Sequence, residues 1–130
     1  MIILDHNIPD DQTVLLRRWR IHFRQVGHEI GRQEWDDQQE ILPYLHGAKH
    51  ATFFTRDLGF FHIRLCHSSY CIVVVTGLYS ETAFLMRQFL RHPAFKTRMQ
   101  RMGKVIKLSS KGIVWWEIGG SRQQNILWYR

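Results

Sequence analysis

Apolar residues along this chain fall into short blocks separated by polar and turn-forming stretches, and the blocks predict strands alternating with helices. Residues 2–4 (IIL) are a continuous apolar run stopped by Asp5, the pattern of a short strand buried on both faces. Pro9 suits the first turn of a helix. Val14, Leu15, Trp19, His22, Phe23 and Val26 then recur at three- and four-residue spacing up to Gly27, which predicts one helix across that stretch. Arg17, Arg18, Arg20 and Arg24 fall largely on its remaining faces. Residues 28–31 predict a short second strand. Asp36 or Asp37 is placed to cap a helix carrying Ile41, Leu42 and Leu45, with Gly47 near its end. Pro43 inside that pattern implies a later start or a kink.

Residues 51–55 (ATFFT) read as a buried strand ending at Arg56-Asp57. A loop or short helix follows to residue 69, and residues 70–76 form the most hydrophobic strand candidate, closed by Gly77. Ser80 is placed to cap a helix containing Ala83, Phe84, Met86, Arg87, Phe89 and Leu90, and Pro93 opens a second short helix to about residue 101. Residues 103–108 and 112–118 predict an antiparallel hairpin around Ser109-Ser110-Lys111-Gly112. Residues 122–130 are a final strand or a tail. This order predicts an α/β fold with a mostly parallel central sheet, its crossovers right-handed, and a C-terminal antiparallel hairpin.

Composition narrows the class. A chain of 130 residues, 45% of them hydrophobic, suits a single domain spanning residues 1–130 with a sizeable core. Its longest apolar run, residues 70–75, is far short of the roughly 20 residues of a membrane span, and no positive region precedes the apolar N-terminus, so a soluble cytoplasmic protein is expected. Cys66 and Cys71 are too few for a disulfide framework and are expected to be reduced. Eighteen Lys and Arg against 11 Asp and Glu give a net charge of +7. Polyanions are therefore attracted, in a salt-dependent manner: RNA, DNA or an acidic protein.

Two predicted strands finish on an acid, Asp5 and Asp57. Open α/β sheets bind and react outside the carboxyl ends of their strands, and paired carboxylates there suit a hard divalent cation, Mg²⁺ or Mn²⁺, able to activate water and stabilise phosphoryl oxygens. Each acid also has a structural reading. Asp5 can cap the following helix or brace a turn, and Asp57 can pair with Arg56 or cap a loop. His62, Cys66, His67 and Cys71 supply four potential zinc ligands, but their spacing matches no common knuckle and Cys71 falls in a core strand. Trp115, Trp116, Trp128 and Tyr129 lie near Arg122 and Arg130, a mixture that can stack on bases. The simpler reading sends one of Trp115 and Trp116 into the core, because consecutive strand residues face opposite ways.

Four segments, LDHNIP at residues 4–9, Gly27-His28, EIL at 40–42 and TRDLGF at 55–60, resemble in order and spacing the compact PIN-like domain family of bacteria and archaea, related to VapC-type toxin ribonucleases. The resemblance covers roughly residues 1–75. It implies a three-layer α/β/α fold and a metal-dependent endoribonuclease of toxin-antitoxin type, using Mg²⁺ or Mn²⁺ to hydrolyse RNA phosphodiesters. Asp5 and Asp57 would be metal-binding catalytic acids, with Asp37 or Glu40 completing the shell. Asn7 would sit beside them, Arg56 would steady phosphate, and the basic residues from Arg87 and Arg91 to Arg101 would attract the RNA backbone. An acidic antitoxin-like partner and a homodimer are further implications. The pattern is broken where the family carries acids at the positions of Gly59 and Gln38, which opens the alternative of a catalytically silent module that binds RNA or an acidic partner.

Overall fold

A computed structural model describes residues 1–32, 35 and 38–128. Among them the chain runs β1 (Ile2–Leu4), α1 (Asp10–Arg18), β2 (Arg24–Gln25), α2 (Gln38–Ala48), β3 (Ala51–Thr55), β4 (Tyr70–Val75), α3 (Thr82–Arg91), α4 (Arg98–Arg101), β5 (Lys104–Leu108), β6 (Gly112–Glu117) and β7 (Gln124–Leu127). Short 3₁₀ turns occupy Leu58–Phe60, Ile63–Leu65 and Tyr79–Glu81. The strands form one sheet in the order β2-β1-β3-β4-β5-β6-β7. Its first five strands are parallel, and β6 and β7 are added antiparallel. The expected mostly parallel sheet with a C-terminal hairpin is thus present, and residues 124–127 turn out to be a strand.

Every residue of β3 and β4 is buried, which explains why their sequences show continuous apolar runs instead of alternation. Successive side chains still part to opposite faces. Leu4, Phe54, Cys71, Val73, Val75, Ile106 and Leu108 pack with Leu16 of α1 and Ala83, Leu85, Met86 and Phe89 of α3. Ile3, Phe53, Tyr70, Ile72, Val74 and Val105 pack with Ile41 and Leu45 of α2 and with Phe60 and Leu65 of the 3₁₀ turns. Trp115 joins the first cluster, while Trp116 is half-buried on the other side of β6. Gly112 is required where it stands, because a β-carbon there would collide with the Ile126 carbonyl of β7.

Several boundaries differ from the sequence expectation. The first helix ends at Arg18 instead of running to Val26, because Arg20 adopts φ +62 and the Ile21 N–H returns to the Leu16 carbonyl at 3.0 Å. The second strand accordingly falls at Arg24–Gln25, and of residues 28–31 only Ile30 makes a strand-like bridge, to Val26. Helix α2 runs through Pro43. In α3, Leu85 is buried and Phe84 faces outward. Residues 93–97 are turns, so the helix expected from Pro93 shrinks to α4, closed at its start by a capping box of Thr97 and Gln100. No described helix is long and apolar enough to cross a membrane.

The left-handed Arg20 makes a direct test of this helix end. Arg20→Gly is expected to raise stability by about 0.5–1 kcal/mol, since glycine takes φ > 0 without a β-carbon penalty. Urea denaturation checks it, and a lower midpoint would mean that the Arg20 side chain contributes more than its backbone costs.

Candidate functional site

From β1 the chain moves outward to β2 and then returns past β1 to β3, so the strand order reverses between β1 and β3, where open α/β sheets form a crevice at their carboxyl ends. Asp5 follows β1 and Asp57 follows β3 by two residues. The register pairs Leu4 with Phe54, and the Asp5 N–H donates to the Phe54 carbonyl at 2.8 Å. The sequence-predicted acids therefore reach the same crevice.

Their environments are opposite. Asp5 is 1% exposed, and a buried carboxylate is tolerated only when its lone pairs are met. Its Oδ1 accepts the His6 N–H and the His6 ring Nδ1, each at 2.8 Å. A carboxylate can only accept, so that ring nitrogen carries the proton. Its Oδ2 accepts the Thr55 hydroxyl at 2.7 Å and the Asn7 amide at 3.3 Å. Four donors thus meet the roughly four acceptor positions that an ionised carboxylate offers. Gln25 adds a bond from its Nε2 to the Asp5 backbone carbonyl at 3.2 Å.

Thr55 is the hinge of the network. Its Oγ1, while donating to Asp5, accepts the Asp57 N–H at 3.0 Å and the Asn7 Nδ2 at 3.2 Å. Asn7 Oδ1 in turn accepts the Arg56 N–H at 3.0 Å. The ends of β1 and β3 are thereby stitched together by side chains. Asp57 itself is exposed, and its Oδ1 accepts the Gly59 N–H at 2.9 Å to cap the Leu58–Phe60 turn. Of the structural readings open from sequence, Asp57 fulfils the loop cap.

Arg56 is engaged elsewhere than by Asp57. Its Nη1 donates to Thr82 Oγ1 at 3.1 Å, its Nη2 to the Gly77 carbonyl at 2.5 Å, and its guanidinium lies 4.2 Å from the centroid of the Tyr79 ring. It pins the segment between β4 and α3 against the end of β3. Glu40 lies half-buried in the first turn of α2. Asp37, like Asp36, falls outside the described residues. Gln38 reaches the crevice, donating from Nε2 to the Gly59 carbonyl at 2.9 Å.

Arg87 and Arg91 are not part of this crevice. The Arg87 guanidinium lies 3.7 Å from the ring centroid of Trp19, and Trp19 closes the end of α1 remote from Asp5, about 14 Å along nine residues of helix. Sequence reasoning missed His6 and Thr55, which hold Asp5, and Trp19 and Phe84, which flank Arg87. Phe84, Arg87 and Arg91 do stand three and four residues apart, a helical stripe readable once Leu85 is assigned to the core.

A hard divalent cation requires carboxylate oxygens with free lone pairs. Asp5 has none to give, and among the described residues no three His, Cys, Asp or Glu side chains gather as metal ligands would. Asp37 of the expected set lies outside the described residues, and the acids that are described do not by themselves assemble a site for Mg²⁺ or Mn²⁺. The same holds for zinc at His62, Cys66, His67 and Cys71. His62 accepts the Arg64 N–H and His67 the Ser69 N–H, each at 3.1 Å, and Cys71 lies in the core.

Burial pushes the Cys71 thiol up to about 12, and half-buried Cys66 is raised as well, chiefly by burial. In native protein Cys66 is expected to react slowly with a disulfide reagent and Cys71 not at all, with both reacting in denaturant. Because the folded value of Cys71 lies above its ordinary 9.0, its contribution to stability is complete below that pH. It is lost as pH rises toward about 12, where the unfolded chain alone ionises at first. The urea midpoint should fall accordingly across that window.

The chain matches no family model, and neither a curated protein nor a solved structure is similar to it.

Proposed function

We propose that this chain is a catalytically silent PIN-like module that binds RNA. The observation that carries the reading is Asp5, whose two oxygens each accept two protein donors. In the resembled family this position is a metal-binding acid; here it braces the sheet. Gln38 and Gly59 stand where that family carries further acids, and they are hydrogen-bonded to each other. An amide and a glycine thus replace two carboxylates at the crevice. The mostly parallel sheet, with helices packed into a separate core cluster on each face, accords with a three-layer PIN-like arrangement. The net charge of +7, which already counts the acids at the crevice, favours a polyanion.

The competing reading is a metal-dependent endoribonuclease of toxin-antitoxin type, hydrolysing RNA phosphodiesters. Asp57 favours it, since its exposed carboxylate follows a backbone N–H held by the same threonine as Asp5. Wild type and Asp57→Asn incubated with mixed tRNA and mRNA, with Mg²⁺, Mn²⁺ or chelator, separate the two. Intact RNA throughout, together with metal-independent binding of labelled RNA, is the expected result. Cleavage by wild type that chelator and Asp57→Asn both abolish would establish the nuclease instead. Displacement of the RNA by an acidic antitoxin-like protein would show that the two partners share the basic surface.

A further inference from the structure

The outer face of α3 is built differently from an ordinary solvated helix face. Ala83, Leu85, Met86 and Phe89 enter the core, and that leaves Phe84, Arg87, Gln88 and Arg91, spaced as one helical stripe, on the outside. With His92 and Trp128 they line a cavity of about 320 Å³. Among the described residues no carboxylate lines it. Phe84 is 48% exposed, a large apolar ring withheld from the core. The Arg87 guanidinium lies over Trp19 at 3.7 Å from the ring centroid and at 6.0 Å from that of Phe84. Trp128 is held by a bond from Nε1 to the Ser109 carbonyl at 2.6 Å, and its ring meets His92 edge-on at 6.3 Å.

Aromatic faces combined with a cation recognise a base and its phosphate together. Every base has a π-face for Phe84 or Trp128, and Arg91 is exposed beside them for the backbone. A duplex cannot use such a pocket, because its bases are already stacked on one another and their faces are not presented. An acidic peptide would satisfy the arginines and leave the aromatic rings without a matching surface. The volume is near the lower bound of ligand pockets, about 300 Å³, enough for one base and too small for a folded element.

We propose that this cavity is a stacking subsite for an unpaired base of single-stranded RNA, an inference that rests on the RNA-binding reading and names the form of RNA recognised. The full chain is titrated into fluorescein-labelled single-stranded RNA and into the matching duplex at low salt, with anisotropy as readout. Wild type should prefer the single strand by roughly tenfold, the scale of one base stacked on an aromatic side chain. Phe84→Ser, at a position outside the core, should abolish that preference and leave duplex binding unchanged. Quenching of tryptophan fluorescence by the single strand, absent with Trp128→Phe or much reduced, is the accompanying signature. If Phe84→Ser binds the single strand as wild type does, the subsite is wrong while RNA binding stands. If wild type binds neither RNA form, the RNA-binding reading falls and the subsite with it. Polyglutamate that displaces the single strand from wild type but not from Phe84→Ser would assign the cavity to an acidic protein.

Discussion

Asp5→Ala is expected to destabilise the protein by about 4 kcal/mol, because it deletes a buried charged acceptor and strands its donors. That corresponds to a fall of roughly 15 °C in melting temperature for a domain of this size. The Thr55 hydroxyl, the Asn7 amide and the His6 backbone and ring nitrogens all direct protons at this one carboxylate. Alanine removes every acceptor at once, at a position that is almost wholly buried. Asp57→Ala is the control. Its carboxylate is exposed and caps one turn through Gly59, so its loss should cost no more than about 1 kcal/mol. Thermal or urea unfolding of the two variants compares the roles directly. Equal, small losses would mean that Asp5 is not the brace described above, and would reopen it as a metal ligand. Conversely, a structural Asp5 makes activity loss in an Asp5 variant uninformative about catalysis, which is why Asp57→Asn is the substitution to use in cleavage assays.

RNA affinity is expected to fall steeply with salt and to be unmoved by metal. If about four phosphates are neutralised, single-strand binding weakens with a log–log slope near −3, or roughly 50-fold between about 50 and 200 mM salt. Reversing both Arg87 and Arg91 to Glu removes two cations from the face of α3 and should shallow the slope by about 1 to 2, because each contact released contributes about 0.7. Anisotropy titrations at several salt concentrations, each with Mg²⁺ and with chelator, supply the slopes. A slope near zero would exclude a phosphate-led interaction. An unchanged slope in the doubly reversed variant would place the contacting cations elsewhere on the surface. Affinity that disappears on chelation would favour the metal-centred reading over the silent one.

Much of the architecture was legible in the chain itself, for a physical reason. Strands buried on both faces need continuous apolar residues, so residues 2–4, 51–55 and 70–75 identify themselves. The turn around residues 109–112 announces the hairpin. Two acids at strand ends likewise pointed to the crevice at the carboxyl ends of β1 and β3. Helix ends were less legible. The apolar spacing of residues 14–26 is helical throughout, yet the helix stops because Arg20 takes a left-handed conformation that no local composition signals in a non-glycine residue. Phe84 and Leu85 are adjacent and both apolar. Only the direction from which the sheet approaches α3 settles which of them is core.

The same division applies to the site. Sequence by itself determined that the chain is basic, that its strands alternate with helices, and that Asp5 and Asp57 close two of those strands, because these properties follow from residue type and local spacing. Tertiary structure alone decided what each acid does. Whether a carboxylate is open to a ligand depends on donors that arrive from elsewhere, and Asp5 receives one from Thr55, fifty residues away. The cavity on α3 is of the same kind: Trp19, Arg87 and Trp128 are distant along the chain and become one surface only when the helices and the last strand are packed.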